Sequence, residues 1–357
     1  MVIIHIANID TAIIGGVQVA VPKMVSAQSQ YAEVGLVNTH GDIIDNVQML
    51  EYDGIFDINK FPAPFNKPDV VVFHEVYRFE YIKIYRTLLK LNVPYVIIPH
   101  GCLSKKAQQK KRLKKVVANA IFFNAFLKAA QSIQYLSENE RNMSAFSQYD
   151  SFVLGNGIFV PTEQKTSFSN KGLRFVYIGR LEVYIKGLDL LLGAVKKCEA
   201  SIRRCKGTVD IFGPDYDGSH ECIARMINDL DLADIVHIGK EKMGEEKKEI
   251  LLSSDCFLQT SRTEGLPLGL LEALGYGLPC IVTEGVGLGT AIELYGAGYQ
   301  SSNSIDGIAD SIECFIQNID KTIIMSQAAV NLIKEKFDIN VVAKEAVDMY
   351  QLMVDKS

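Results

Sequence analysis

The chain has 357 residues, 48% hydrophobic and 22% charged, and its 37 basic and 42 acidic side chains leave a formal net charge of −5. At roughly 150 residues per domain this length suggests two domains, each with a sizeable core. The acidic balance excludes a nucleic-acid binder that works through a globally basic surface, while leaving room for a local basic patch.

The first residues, Met1-Val2-Ile3-Ile4-His5-Ile6-Ala7, lack the basic start and the cleavage site of a signal peptide, and read as a buried strand. Short apolar runs follow at 34–38, 70–73, 95–98, 132–135 and 151–154. A second series lies at 174–178, 208–212, 235–238, 256–259, 279–282 and 298–300. Continuous apolar runs mark parallel strands covered on both faces. Helical patterns fall between them, for example at 77–91, 187–198 and 221–230, and the chain ends on helical patterns at 305–316, 321–336 and 340–355. Alternating strands and helices predict doubly wound parallel sheets. The polar segment 159–172 separates the series and reads as a linker. The expected division is residues 1–160 and 161–339, with the last helix, about 340–357, packing back on the first domain. Two such sheets with facing carboxyl edges would enclose an interdomain cleft.

No run reaches the ~18 apolar residues of a membrane span. The longest, 116–127, is cut by Asn119 and Asn124. The seven cysteines are scattered, with no Cys-x-x-Cys pair, as expected of reduced, buried thiols in a cytoplasmic protein without a zinc site.

The densest chemistry is Ser261-Arg-Thr-Glu264-Gly265-Leu266-Pro267-Leu268-Gly269-Leu-Leu-Glu272, a strand end running into a helix. Pro267 suits a helix start, and free N–H groups there attract phosphate. Glu272 could accept the vicinal hydroxyls of a ribose, and Glu264 those of a sugar. The plainer readings are a helix cap for Glu264 and a solvated helix residue for Glu272. Upstream, Arg180 follows a strand and Lys186-Gly187 opens a helix, so both cations fall at a carboxyl edge where they can grip a diphosphate.

The Gly-Arg-Leu…Lys-Gly and Glu-x7-Glu elements, in this order, resemble the retaining glycosyltransferases of family 4, the glycosyl transferases group 1, which have the GT-B fold. Asn156-Gly157, Phe212-Gly213, Ile238-Gly239, Gly277-Leu-Pro279, Gly15-Gly16, Pro99-His100-Gly101 and Ser137-Glu138 fall at that family's other landmarks. The resemblance implies two Rossmann-like α/β domains and a nucleotide-sugar donor, UDP- or GDP-linked. Arg180 and Lys186 would hold its diphosphate, Glu272 its ribose and Glu264 the transferred sugar. Gly15, Gly16, Gly265, Leu266, Leu268 and Gly269 would line the donor. The spacing of Arg180 and Lys186 is six, where many members show five. His100, at a strand end, is the catalytic-side candidate beside Glu264, and His74 an acceptor-side candidate. The implied attack is front-face, the leaving phosphate taking the acceptor proton, and no cofactor or metal is expected.

Residues 105–115 carry Lys105, Lys106, Lys110, Lys111, Arg112, Lys114 and Lys115 and no acid. A basic helix with an apolar continuation reads as a contact for an anionic membrane, alongside the plainer reading of a solvated face. Aromatic stacking platforms for nucleic acid are missing. Together these features suggest a membrane-peripheral transferase with a glycan or lipid-linked acceptor, building capsule, O-antigen or lipopolysaccharide. Two alternatives remain: a non-catalytic sugar-nucleotide-binding protein of the same fold, and an NAD-dependent enzyme suggested by Gly285-Val-Gly287-Leu-Gly289.

Overall fold

The computed structural model describes residues 1–13, 15–109, 111–169 and 172–355. The chain divides into two compact units, one of Met1–Phe159 with Asp338–Ser357, the other of Val160–Phe337.

Unit 1 holds a parallel sheet of β1 (Val2–Ala7), β2 (Glu33–Asn38), β3 (Val70–His74), β4 (Tyr95–Ile98), β5 (Ser132–Tyr135) and β6 (Ser151–Val153), in the order β2-β1-β3-β4-β5-β6. Unit 2 holds β7 (Arg174–Ile178), β8 (Thr208–Phe212), β9 (Val236–Gly239), β10 (Cys256–Gln259), β11 (Cys280–Thr283) and β12 (Gly298–Ser301), in the order β12-β11-β10-β7-β8-β9. Each strand lies within a residue of its sequence expectation. The reason is burial: a central strand of a doubly covered sheet is apolar throughout, and Val70–Phe73 is at most 1% exposed.

The two cores differ in chemistry. That of unit 1 is aromatic: the Phe73 ring lies 5.0–5.4 Å from those of Tyr81, Tyr95 and Phe126. That of unit 2 is mostly aliphatic, with Leu188, Leu191 and Leu192 of helix Leu188–Lys197 buried against the sheet.

Helix Ile339–Val354 packs on helix Gly16–Gln28 of unit 1. Its start explains Gly157, since a Cβ there would lie 2.4 Å from the Ile339 Cα. The Ile339 N–H donates to the Ile158 carbonyl (2.8 Å). The segment read as a linker is bound to unit 2. Lys165, its side chain 6% exposed, reaches Asp255 (3.4 Å) and donates to the Leu252 carbonyl (3.0 Å), and its backbone N–H donates to Tyr276. Its polar groups are paired within unit 2.

The basic segment also departs from expectation. Instead of one continuous helix it forms two short ones, Lys105–Gln109 and Arg112–Ala118, with Lys111 left-handed between them (φ +58). Lys110 lies outside the described residues.

Candidate active site

Each sheet reverses its strand order at one point. In unit 1 the chain leaves β1 for β2 and returns on the other side at β3. In unit 2 it leaves β7 for β8 and β9 and returns at β10. Loops diverge at such switch points and leave room for a ligand at the strand carboxyl ends. The candidate residues gather at these two points.

In unit 2, β7 ends two residues before Arg180 and β10 five before Glu264. Lys186 Nζ and Glu264 Oε2 form an ion pair, both side chains mostly buried. The loop that carries Lys186 is clamped from β10's exit. Arg262 grips both Asp189 oxygens (2.6 and 2.7 Å), donates to the Tyr184 carbonyl (2.7 Å), and lies 4.3 Å above the Tyr184 ring. Thr260 Oγ1 donates to the carbonyls of Lys186 and Gly187 (3.1 and 3.2 Å). Gly187 is left-handed (φ +63), and a Cβ there would lie 2.0 Å from the Thr260 carbonyl oxygen. The longer spacing between Arg180 and Lys186 is therefore accommodated in a fixed loop. Arg180 does not join the pair. Its guanidinium bonds Glu182 (2.6 Å), covers Tyr216 (4.7 Å), and is half-exposed.

Helix Leu268–Gly275 starts behind Pro267 without a side-chain cap, so its first N–H groups keep their capacity for an anion. Gly269 seats it against β7: a Cβ would lie 3.1 Å from the Ile178 carbonyl. Around Gly265 there is open space, and Leu266 and Leu268 are half-buried. Glu272, one turn into this helix, pairs with Lys247 of helix Gly244–Ser253. Lys247 escaped the sequence reading because nothing local ties it to Glu272, 25 residues on. The Gly285-x-Gly-x-Gly run serves this unit's packing. A Cβ on Gly285 would lie 2.5 Å from the carbonyls of Ser261 and Arg262, and its own carbonyl takes the Glu264 N–H (2.9 Å). Ser261 Oγ donates to Glu264 Oε2 (3.3 Å), which steadies the carboxylate.

In unit 1, three imidazoles stand in a row. His100 Nε2 lies 3.0 Å from His74 Nδ1, His74 Nε2 lies 2.9 Å from His5 Nδ1, and His5 Nε2 lies 2.8 Å from Gln28 Oε1. Burial pushes His5 and His100 down to about 4, the Gln28 bond partly offsetting this at His5. Burial and the two neighbouring rings push His74 well below the usual range. All three are neutral at pH 7. His74 is 2% exposed with both ring nitrogens engaged, so it supports His100 and offers nothing to an acceptor. His100 and Gly101 are both left-handed (φ +49 and +81), a turn that folds the ring back on β3. Glu140 holds this turn, accepting from the N–H groups of Gly101 and Leu136. The signal for Glu140 was present as Ser137-x-x-Glu, a helix-capping spacing, and Ser137 Oγ does accept its N–H (3.0 Å). His5 was also signalled, as the one titratable residue in an apolar strand. Gly15 opens helix Gly16–Gln28, and nothing lies within 4 Å of a Cβ built on Gly16.

Among the described residues, Asp10, His40 and Asp42 bring three metal-type ligand atoms within 4.8 Å of one another at the solvent-exposed end of β1 and β2. No helix among them is long and apolar enough to cross a membrane.

Two parallel six-stranded α/β units are the architecture of the GT-B fold, and solved structures share it. Sucrose-phosphate synthase from Thermosynechococcus elongatus matches with TM-score 0.76 at 14% identity, over 99% of this chain and 100% of that one. HepE from Anabaena, in complex with UDP, matches with TM-score 0.75 at 16% identity, over 98% and 100%. WaaG, a glycosyltransferase involved in lipopolysaccharide biosynthesis, matches with TM-score 0.64 at 14% identity, over 98% and 99%. No curated protein matches. Residues 161–331, nearly all of unit 2, match the family described as glycosyl transferases group 1. The fold expected from the motifs therefore stands as GT-B, and residues 161–331 are similar to the glycosyl transferases group 1.

Proposed function

We propose that the protein is a retaining glycosyltransferase that moves a hexose or related sugar from a UDP- or GDP-linked donor to a glycan or lipid-linked acceptor of a surface polysaccharide. The observation that carries this is the arrangement at the β7/β10 switch point, where the Lys186–Glu264 and Lys247–Glu272 pairs bracket an uncapped helix start. A nucleoside diphosphate sugar matches that pattern of charges. Its diphosphate takes Lys186, the helix N–H groups and, after a swing away from Glu182, Arg180. Its ribose diol takes Glu272, and the sugar hydroxyls take Glu264. Cations and N–H dipoles already in place stabilise the charge that builds on the departing phosphate, which itself takes the acceptor proton. The scheme needs no metal, and a neutral His100 serves it as a hydrogen-bonding group. The UDP bound in the HepE structure and the pathway named for WaaG support this reading.

The acceptor end we assign to an anionic membrane face in the cytoplasm. Helix Arg112–Ala118 buries none of its residues, and Leu113, Val116, Val117 and Ile121 form an exposed stripe at helical spacing. Lys111, Arg112 and Lys114 flank it, while Lys115 turns inward over Tyr77 (4.7 Å). An apolar stripe rimmed by cations suits the headgroup boundary.

Calorimetry with UDP and GDP tests the donor site: Glu272→Ala and Arg180→Ala should each weaken binding at least tenfold, and unchanged affinity would remove the assignment. A donor-sugar screen then separates turnover from mere binding, the mark of a non-catalytic relative. Inversion at the anomeric carbon of the product would overturn the retaining step.

A further inference from the structure

The three histidines of unit 1 belong to a longer run of buried polar groups whose direction can be followed from one end. That end is the Leu154 carbonyl, which can only accept, and Gln134 Nε2 donates to it (3.1 Å). The other end of that amide, Gln134 Oε1, must then accept, so the Tyr350 hydroxyl gives it its proton (2.7 Å). The Tyr350 oxygen, which also interacts with Gln28, keeps only lone pairs on that side. Gln28 Nε2 is the one side-chain atom of this run without a partner in bond geometry. An amide N–H is what the Tyr350 oxygen can still accept, so Nε2 belongs toward Tyr350 and Oε1 toward His5, as observed (2.8 Å).

From Gln28 onward each ring has one choice. His5 must carry its proton on Nε2 to donate to Gln28, which leaves Nδ1 as an acceptor. His74 then donates from Nε2 (2.9 Å) and accepts at Nδ1. His100 donates from Nε2 (3.0 Å), and its Nδ1 keeps a bare lone pair. Each neutral imidazole has one N–H and one acceptor nitrogen, so a single direction runs through all three.

We propose that Gln134, Tyr350, Gln28, His5 and His74 form a hydrogen-bonded wire that fixes His100 in the Nε2–H tautomer and presents its Nδ1 as an acceptor to a sugar hydroxyl. Rotation of the Gln28 amide would reverse the wire and make Nδ1 a donor, so Gln28 is the direction-setting residue. Tyr350 belongs to the helix that returns from the far end of the chain, so that helix also sets the chemistry of a group on the β4 exit. The catalytic part of the proposal rests on the function proposed above, in which His100 serves as a hydrogen-bonding group; the wire itself does not. Gln28, His5 and His74 are positioning residues.

Nitrogen NMR of histidine-labelled protein reads the tautomers directly, with His100 assigned from the signal lost in His100→Asn. The wild type should show a bare Nδ1 and a protonated Nε2 at His100. Gln28→Met and Tyr350→Phe should each give a mixture of tautomers. In a donor-turnover assay, Gln28→Met should lose roughly three- to tenfold in kcat/KM, the worth of one neutral hydrogen bond. Circular dichroism melts confirm that each variant is folded. A protonated Nδ1 in the wild type, or a His100 tautomer unmoved in both folded variants, overturns the wire. A shifted tautomer with undiminished turnover keeps the wire and removes His100 from the reaction.

Discussion

The buried histidines make the stability of unit 1 depend on pH in a window set by their own shifts. His5 and His100 are held down to about 4 from a usual 6.5, chiefly by burial. Below pH 6.5 the unfolded chain binds protons that the folded chain refuses, so stability falls as pH falls and stops falling near the folded value. Each such ring costs about 1.4 kcal/mol per pH unit inside that window. Between pH 6.5 and 5 this is about 2 kcal/mol for His5 and at most about 2 more for His100, as order-of-magnitude figures. The His5 figure is the firmer, because His5 is fully buried and His100 only half-buried. His74, pushed down by burial and by both neighbours, acts in the same direction. Glu140, pushed up by burial, acts in the opposite one. Asp42 is held at about 2, so its loss of stability comes at lower pH, outside the window. Against a domain stability of about 5–15 kcal/mol, a loss of this size is a large fraction. Urea unfolding followed by circular dichroism, with hydrogen exchange on β1, β3 and β4, should show a falling midpoint for unit 1 between pH 7 and 5. A midpoint flat over that range would refute the reasoning, since the buried neutral imidazoles of His5 and His74 cannot be indifferent to it.

Gly187→Ala should cost at least about 1–2 kcal/mol for the left-handed backbone alone. The Cβ clash with Thr260 adds to this, and displacement of Lys186 should weaken donor binding in calorimetry. Gly157→Ala pushes a Cβ into the Ile339 backbone. It should lower the melting temperature by several degrees and expose helix Ile339–Val354 to proteolysis. Flotation with anionic vesicles should weaken about fivefold for each of Lys111, Arg112 and Lys114 changed to Gln, and weaken again in high salt. Leu113→Asp should abolish flotation while leaving hydrolysis of a soluble donor unchanged.

The places of Arg180, Lys186 and Glu264 at the sheet's carboxyl edge were legible because each sits within a few residues of a strand end or helix start, and the strands themselves were legible. Arg180 and Glu264 follow apolar runs that only a buried parallel strand requires, and Pro267-Leu-Gly269 marks a helix start at the same edge. The boundary between the units falls at Phe159/Val160, at the start of the polar segment, but the pairing of Lys165 with Asp255 was not legible because polarity looks the same whether its partner is water or a carboxylate. The basic segment was misread because nothing in its composition marks the break at Lys111.

What the sequence alone determined is the alternation of strands and helices, hence two parallel sheets, and which chemistry falls at their carboxyl edges. Local apolar period and local turn chemistry are enough for that. Which charges meet was decided by tertiary structure: Lys186 finds Glu264 across 78 residues and Lys247 finds Glu272 across 25. The histidine wire is the clearest case. His5, His74 and His100 lie in or at the end of β1, β3 and β4, strands adjacent only because the chain skips from β2 past β1 to β3. Strand order is a property of the whole packed sheet, and no local pattern carries it. The same packing strips water from the rings and makes them neutral acceptors and donors instead of surface cations.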